Sequence, residues 1–118
     1  MSKKYIIFGA TGSIGSNLAE LLYDNKLECH LVSRNEDELK KISSKLNFKY
    51  SVSDVLNLNF IDDLKRDLKG DEILGIAYCV GSIDIKPFKL TKANDFVSSY
   101  VLNLVAVTEI IKGFQESL

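Results

Sequence analysis

The sequence predicts an α/β fold in which a doubly wound parallel sheet carries helices on both of its faces. Short apolar runs alternate with longer amphipathic segments, which is the pattern of strands joined by crossover helices. A glycine-rich turn follows the first apolar run, as this fold class requires. The 118 residues, 46% of them hydrophobic and 26% charged, suffice for one core and predict a single domain over residues 1–118.

Four apolar runs are the predicted strands, namely Tyr5–Phe8, Cys29–Val32, Phe48–Val52 and Ile73–Val80. Helical spacing of apolar residues follows each of them, in the segments Ile14–Leu22, Leu39–Leu46, Leu58–Leu68 and Phe96–Phe114. The first and fourth runs are apolar at nearly every position and predict strands covered on both faces. In the third run, apolar and polar residues alternate, so we expect this strand at an edge of the sheet. Right-handed crossovers then predict the strand order 3-2-1-4, the first half of a doubly wound sheet.

Composition narrows the classes of partner. Fifteen basic residues against sixteen acidic ones leave a net charge of -1, which predicts neither nucleic-acid nor membrane-surface binding. No stretch of the sequence approaches the ~20 apolar residues of a membrane span. Cys29 and Cys79 lie in apolar runs without metal-binding spacing, and His30 is the single histidine. We therefore expect a cytoplasmic chain with core cysteines, a structural histidine and no metal.

The turn after the first strand predicts a phosphate-binding loop. Its backbone amides lie at the start of a helix, where the dipole favours an anion. Gly9 permits the tight turn, Gly12 or Ser13 allows close approach of a ligand, and Gly15 allows the helix to pack on the strand. The alternative is a plain strand-to-helix turn. The predicted pyrophosphate cradle consists of Gly9, Ala10, Thr11, Gly12, Ser13, Ile14 and Gly15.

In doubly wound folds, a phosphate-binding loop of this kind holds the pyrophosphate of NAD or NADP. The end of the second strand indicates which of these two nicotinamide cofactors is bound. A domain specific for NAD carries an acidic residue there, whereas this chain has Ser33, Arg34 and Asn35. Arg34 can pair with the 2′-phosphate of NADP, and its two neighbours can hydrogen-bond it. The alternative for Arg34 is a solvated arginine at a strand end. The sequence thus favours NADP over NAD.

These features, taken in order along the chain, resemble the short-chain dehydrogenase/reductases, which have a Rossmann-like fold. The resemblance rests on the glycine turn, on Asp54 and Val55 after the third strand, on Gly81 after the fourth, and on Asn103 in the last helix. It covers essentially the whole chain. It extends only to the amino-terminal, cofactor-binding portion of the family, which implies that the chain is the front part of a longer enzyme.

The resemblance implies roles for several residues. Asp54 would bind the adenine amino group and Val55 would contact the ring through its backbone, although Asp54 is equally suited to cap a helix. The segment Cys79, Val80 and Gly81 would lie against the cofactor ribose. Cys79 stands where the family has asparagine, which weakens the side-chain interaction expected there but leaves a close backbone approach.

Asn103 corresponds to the family's catalytic asparagine, which holds a water in the proton relay. Its spacing from Tyr100 and Ile110 predicts a polar group on an apolar helical face, and the alternative is an asparagine bonded to neighbouring backbone in the core. The family's proton donor is the tyrosine of a YxxxK motif. No such motif occurs in this sequence, so we expect the chain alone to be inactive.

The resemblance implies an NADP-dependent oxidoreductase that transfers hydride between nicotinamide and a small carbonyl or alcohol substrate, with this chain supplying the cofactor-binding part. Two alternatives stay open: a non-catalytic NADP-binding sensor or regulatory module, and an extended-type relative acting on nucleotide sugars. The last helix and the fourth strand are more apolar than one sheet face needs. Either a second copy covers them, which predicts a homo-oligomer, or further sequence does.

Overall fold

A four-stranded parallel sheet forms the centre of the computed structural model, which describes residues 3–57, 59–80, 88–90 and 92–115. The strands are β1 (Lys3–Phe8), β2 (Cys29–Ser33), β3 (Lys49–Val52) and β4 (Glu72–Tyr78). Their order is β3-β2-β1-β4, and every neighbouring pair is parallel. The predicted order and the edge position of the third strand are confirmed.

Helices lie in the crossovers and after β4. The crossover helices are α1 (Ser13–Asp24), α2 (Glu36–Leu46) and α3 (Phe60–Leu68). After β4 come a 3₁₀ turn at Phe88–Leu90 and one helix of 22 residues. That helix begins as α4 (Ala93–Tyr100), continues through a π-helical segment (Val101–Val105) and ends as α5 (Ala106–Phe114).

Strand β1, one of the two inner strands, supplies side chains to both layers of the core. Ile6 and Phe8 pack with residues of α3 and α5 on one face, whereas Ile7 packs with residues of α1 and α2 on the other. All three are 0% exposed. Burying each such side chain contributes about 1.5–3 kcal/mol, which is why this strand is apolar at nearly every position. Helices therefore cover both faces, and the predicted fold class is confirmed.

The start and end of α2 are defined by two asparagines. The side-chain oxygen of Asn35 accepts a hydrogen bond from the backbone N–H of Glu38 at 3.1 Å, and the first turn of the helix carries three acidic residues. Both features stabilise a helix start. At the other end, Asn47 adopts a left-handed conformation with φ of 58° and closes the helix.

The fourth strand is shorter than predicted. It ends at Tyr78, and Cys79 and Val80 continue without strand pairing. The backbone N–H of Cys79 still donates to the carbonyl of Phe8 at 2.8 Å. Beyond that bond the chain passes directly over Gly9. Cys79 is consequently half-buried, whereas Cys29 is fully buried. Burial raises the pKa of the Cys29 thiol to about 12 and also raises that of Cys79.

The last helix buries only the carboxyl-terminal part of the apolar face that the sequence predicts, which includes Ile110. Its buried residues are Ala106, Ile110 and Phe114, while Tyr100 and Asn103 are exposed. The π-helical segment bonds residues five apart rather than four, so it shifts the angular phase of the positions around it. The prediction that Asn103 lies on the apolar buried face is therefore wrong.

The same helix is long and apolar enough, by length and composition alone, to cross a membrane. The expectation that no stretch approaches such a length is wrong in that respect. Ala106, Ile110 and Phe114 of this helix pack against the α3 side of the sheet core, whereas most of its apolar stretch is exposed.

At the amino-terminal end of the strands, the sheet face under α3 contains a cluster of buried polar side chains. The imidazole Nε2 of His30 lies 2.6 Å from the hydroxyl of Ser51, and that hydroxyl donates to Asp67 at 2.5 Å. Beside them, Lys4 forms an ion pair with Asp71 at 3.1 Å. Burial lowers the pKa of His30 to about 4. Within the described part of the chain, no group of side chains is suited to hold a metal ion.

Candidate functional site

The candidate site lies at the carboxyl edge of the sheet, where the segments that follow all four strands meet. In parallel sheets of this kind the crevice beyond this edge is the usual ligand site. Three contacts hold the segments together. The hydroxyls of Thr11 and Ser33 are 2.7 Å apart, the N–H of Ser53 donates to the carbonyl of Ser33 at 2.9 Å, and Cys79 is bonded to Phe8.

The glycine turn is bonded closely to the neighbouring strand. The N–H groups of Gly9 and Ala10 both donate to the carbonyl of Val32, at 2.9 and 3.2 Å. Gly9 has φ of 77°, which non-glycine residues rarely adopt. The N–H of Gly12 then donates to the carbonyl of Gly9 at 3.1 Å. The turn is thus fixed by backbone bonds and needs no side chain to define it.

Two of the three glycines are required by close packing. A Cβ atom at Gly15 would lie 2.1 Å from the carbonyl oxygen of Gly9, and one at Gly9 would lie 2.7 Å from the carbonyl carbon of Cys79. Neither distance is compatible with a side chain. A Cβ at Gly12 would meet the Gly9 oxygen at 3.5 Å, which is ordinary contact. Gly12 is exposed, and the fold does not require glycine there. The lack of a side chain at Gly12 instead leaves room for a ligand.

The amino end of α1 is open to a bound anion. Gly12 is the residue at the cap position, and no side chain caps the helix. The first backbone N–H groups of an α-helix have no partner within the helix, and the dipole gives this end a partial positive charge. Ser13 and Ile14 are exposed, with Ile14 at 74%. The turn has only small side chains, and the backbone N–H groups at the start of the helix are not capped by a side chain. These N–H groups fit a pyrophosphate.

The three residues at the end of β2, which are Ser33, Arg34 and Asn35, differ in what they can offer a ligand. Arg34 is exposed, and its guanidinium makes no hydrogen bond or ion pair with any described residue. Ser33 is 8% exposed, and its hydroxyl contacts Thr11 and accepts from the N–H of Asn35 at 3.2 Å. The side-chain oxygen of Asn35 caps α2. Arg34 is therefore the one residue of the three whose side chain makes no bond within the described part of the chain, since Ser33 is bonded through its hydroxyl and Asn35 through its side-chain oxygen.

After β3 the chain forms a tight turn at Asp54. The carboxylate accepts a hydrogen bond from the N–H of Leu56 at 3.0 Å, and Asp54 is exposed. Helix α3 begins only at Phe60, so Asp54 does not cap it, and that alternative is wrong. Val55 is 4% exposed with its side chain in the core, which leaves only its backbone for a ligand.

The end of β4 is bonded to the last helix. The hydroxyl of Tyr78 donates to the backbone carbonyl of Leu102 at 2.5 Å, and burial raises the pKa of Tyr78. Leu102 precedes Asn103, whose exposed amide donates to the hydroxyl of Ser99 at 3.2 Å. Cys79 and Val80 are half-buried beside the turn. Gly81 lies outside the described residues.

Two contacts of this site have no signal in the sequence. The bond between the Thr11 and Ser33 hydroxyls joins residues 22 positions apart. The two hydrogen bonds that the Val32 carbonyl accepts from Gly9 and Ala10 depend on how the turn folds back. Apolar periodicity carries no information on either, because both depend on loop geometry rather than on burial.

Comparison with known proteins agrees with this geometry. Residues 5–114 match the model of the NAD dependent epimerase/dehydratase family. A search of curated proteins found no match.

Solved structures share the fold at low sequence identity. A short-chain dehydrogenase/reductase from Saccharomyces cerevisiae superimposes with a TM-score of 0.89 at 18% identity, covering 99% of this chain and 49% of its own. An alcohol dehydrogenase from Thermococcus sibiricus, complexed with 5-hydroxy-NADP, gives 0.89 at 22% identity, covering 100% and 54%. Serine dehydrogenase from Escherichia coli gives 0.87 at 15%, covering 97% and 55%.

The chain spans about half the length of these similar structures. The matched half is the amino-terminal, Rossmann-like portion, as the resemblance implied. The strand order, the glycine turn and the family match over residues 5–114 together show that this chain belongs to the NAD dependent epimerase/dehydratase family, whose fold is that of the short-chain dehydrogenase/reductases.

Proposed function

We propose that this chain binds NADP and forms the cofactor-binding part of an oxidoreductase that interconverts a small carbonyl compound and its alcohol. The observation that carries the proposal is the uncapped start of α1 behind a glycine turn in which Gly15 leaves no room for a side chain. Cofactor binding by the family supports a nicotinamide dinucleotide as the ligand. When bound, the cofactor supplies or accepts the hydride.

The residues of the chain divide the work of binding. Amides at the start of α1 hold the pyrophosphate, with Gly12 leaving room for it. The carboxylate of Asp54 binds the adenine amino group with the oxygen that Leu56 does not occupy. The backbone of Val55 lies under the ring, since its side chain is already buried. Backbone at Cys79 and Val80 borders the ribose.

Preference for NADP depends on Arg34. No acidic residue stands at the end of β2 to bind ribose hydroxyls and repel a 2′-phosphate. The Arg34 guanidinium is exposed and unengaged, so it can pair with that phosphate without first breaking another contact. The Thermococcus sibiricus enzyme, which is complexed with an NADP analogue, supports the same choice.

Hydride transfer needs groups that this sequence does not contain. Asn103 is the candidate for holding a relay water, and its exposed amide is accessible for that role. The tyrosine, lysine and serine of the family mechanism have no counterpart here, so in this proposal further sequence supplies them. We propose a cytoplasmic homo-oligomer acting on a small-molecule substrate.

Titration by calorimetry with NADPH and NADH tests the cofactor assignment. We expect wild type to bind NADPH more tightly, and Arg34→Ala to weaken NADPH at least about tenfold with NADH unchanged, because one charge-assisted bond of ~1.5–3 kcal/mol is lost. Arg66→Ala, which removes the same charge from the exposed face of α3, is the control and should change neither. Absence of binding to either nucleotide would refute the proposal.

A further inference from the structure

We infer that Tyr78 is a positioning residue that stabilises the π-helical segment of the last helix and thereby keeps the amide of Asn103 at the surface. The inference rests on the proposed function and deepens it, because that function needs an accessible Asn103. It follows from one hydrogen bond between β4 and the last helix, in which the Tyr78 hydroxyl donates to the backbone carbonyl of Leu102 at 2.5 Å.

The Leu102 carbonyl has left the ordinary bonding pattern of a helix. In a regular α-helix it would accept from the backbone N–H four residues later, which is that of Ala106. The N–H of Ala106 donates instead to the carbonyl of Val101, five residues before it. The Tyr78 hydroxyl supplies the donor that Ala106 would otherwise give to Leu102. This side chain of the sheet therefore favours the π-helical segment over a regular helix.

The sheet fixes the position of this donor. Tyr78 is the last residue of β4 and is paired with Phe8 of β1, and the two rings pack with their centroids 6.1 Å apart. A carbonyl oxygen can only accept, so the hydrogen of the bond belongs to Tyr78. Burial raises the pKa of Tyr78, which keeps its hydroxyl protonated. The hydroxyl is thus a fixed donor to which the helix adapts.

The carboxyl-terminal part of the last helix is fixed separately. Ala106, Ile110 and Phe114 are at most 3% exposed and pack in the core on the α3 side of the sheet. A Cβ atom at Gly113 would lie 2.8 Å from the Cγ2 of Ile61, so α5 contacts α3 at close range. A change in the π-helical segment therefore turns the residues before α5, because α5 itself is held in place.

The π-helical segment decides which way Asn103 faces. In a regular helix, residues three and seven positions apart share a face, so Asn103 would lie on the side of Ala106 and Ile110. Those two residues are buried, whereas Asn103 is exposed and its amide donates to the hydroxyl of Ser99. Without the Tyr78 donor, the Leu102 carbonyl takes the N–H of Ala106. The helix then becomes regular, and residue 103 turns toward the sheet.

Labelling of thiols with N-ethylmaleimide tests the inference, with Asn103→Cys as the probe and each labelled cysteine identified by peptide mass. We expect Tyr78→Phe to slow labelling at position 103 at least about tenfold, because a buried thiol is unreactive. Ile111→Cys, at a side chain 56% exposed in α5, should be labelled at the same rate with and without Tyr78→Phe. Tyr100→Phe, which removes an exposed hydroxyl from the same helix, is the matched control and should leave labelling at position 103 unchanged.

The direction of the change separates positioning from general support. If Tyr78 only held the helix to the sheet, its replacement would loosen the helix and speed labelling at positions 103 and 111 alike. Faster or unchanged labelling at position 103, or an equal change at position 111, would therefore overturn the inference. A Tyr78→Phe variant that circular dichroism shows to be unfolded would overturn it too, because the bond would then support the whole fold. No nucleotide takes part in the labelling, so a wild type that binds neither NADPH nor NADH refutes the proposed function and leaves this test unaffected.

Discussion

At the residue scale, the glycine turn contains two positions with different steric demands on the same short segment. A side chain at Gly15 would collide with the Gly9 carbonyl at 2.1 Å, whereas one at Gly12 would make ordinary contact at 3.5 Å. We therefore expect Gly15→Ala to destabilise the fold by at least about 1–3 kcal/mol, the usual cost of overpacking. Gly12→Ala should change the free energy of unfolding several-fold less, because the added methyl group makes only ordinary contact.

Urea unfolding of the two variants measures this difference. Because both substitutions add one methyl group within four residues of each other, changes in the unfolded state largely cancel between them. Equal destabilisation by the two variants would contradict the packing of α1 on the turn.

His30 gives a second residue-scale prediction, which concerns pH. Burial lowers its pKa from 6.5 to about 4, with further contributions from Lys4 and Lys49 that lower it and from Asp67 and Asp71 that raise it. Among the described residues, its Nδ1 has no hydrogen-bond partner. In the window between pH 6.5 and about 4, the unfolded chain binds a proton that the folded chain does not. The free energy of unfolding should therefore fall as pH falls through this window.

The expected loss between about pH 7.5 and about pH 5 is roughly 2 kcal/mol from this residue. Urea unfolding at the two pH values, for wild type and for His30→Gln, isolates it as the difference in pH dependence. His30 is the single histidine, so its ring signal in an NMR titration of the folded chain is unambiguous. A midpoint near 6.5 would contradict the burial of the ring.

The residues of the candidate site show what a sequence can and cannot predict at this scale. Gly9 and Gly15 are predictable, because glycine is the residue that tolerates their conformation and packing. The engagement of Ser33 is not, because residue type gives a hydroxyl's capacity but not its partner. The turn at Asp54 is similar: the same side chain suits a helix cap and a local turn, and only the late start of α3 distinguishes them.

At the scale of elements, one bond connects β4 to the last helix. The Tyr78 hydroxyl donates to the carbonyl of Leu102 inside the π-helical segment, where the helical bonding pattern changes. We expect Tyr78→Phe to lower the free energy of unfolding by about 0.5–1.5 kcal/mol, the net value of one hydrogen bond. Tyr100→Phe, at a side chain 59% exposed, should have almost no effect.

Chemical denaturation of the two variants, with secondary structure followed by circular dichroism, measures this difference. Equal stabilities of Tyr78→Phe and wild type would mean that the bond does not hold the helix to the sheet. A loss in Tyr100→Phe of similar size would point to a general effect of removing a hydroxyl.

The elements themselves were predictable to different degrees. The strand order follows from apolar runs whose burial on one or both faces is visible in their composition, as β1 and β3 illustrate. The burial of Ile110 follows from the apolar pattern of the last helix, but the exposure of Tyr100 does not, because the pattern assumes regular helical turns throughout. The π-helical segment breaks that assumption, so Ala106 is buried and Asn103 is exposed.

At the scale of the whole molecule, the described structure leaves apolar side chains uncovered on β4 and on the last helix. Strand β4 is an edge of the described sheet, with Leu74 43% exposed. On the last helix the exposed apolar side chains are Val97, Tyr100, Leu104 and Ile111. Uncovered edges and patches of this kind promote association. This is the physical basis for the expectation that either a second copy of the chain or further sequence covers this surface.

We therefore expect the chain to self-associate in solution, with a sedimentation coefficient that rises with concentration. The double variant Val97→Lys, Ile111→Lys should reduce this rise, because both side chains are more than half exposed, at 58% and 56%, and lysine there keeps apolar surface from meeting a second copy. Leu21→Lys, at a leucine 58% exposed on α1, is the matched control and should leave the association unchanged. If only the control substitution reduced association, the contact would lie on the α1 side of the sheet. A wild-type chain that stayed monomeric at high concentration would contradict the expectation altogether, because an exposed helix face of this composition would then need no cover.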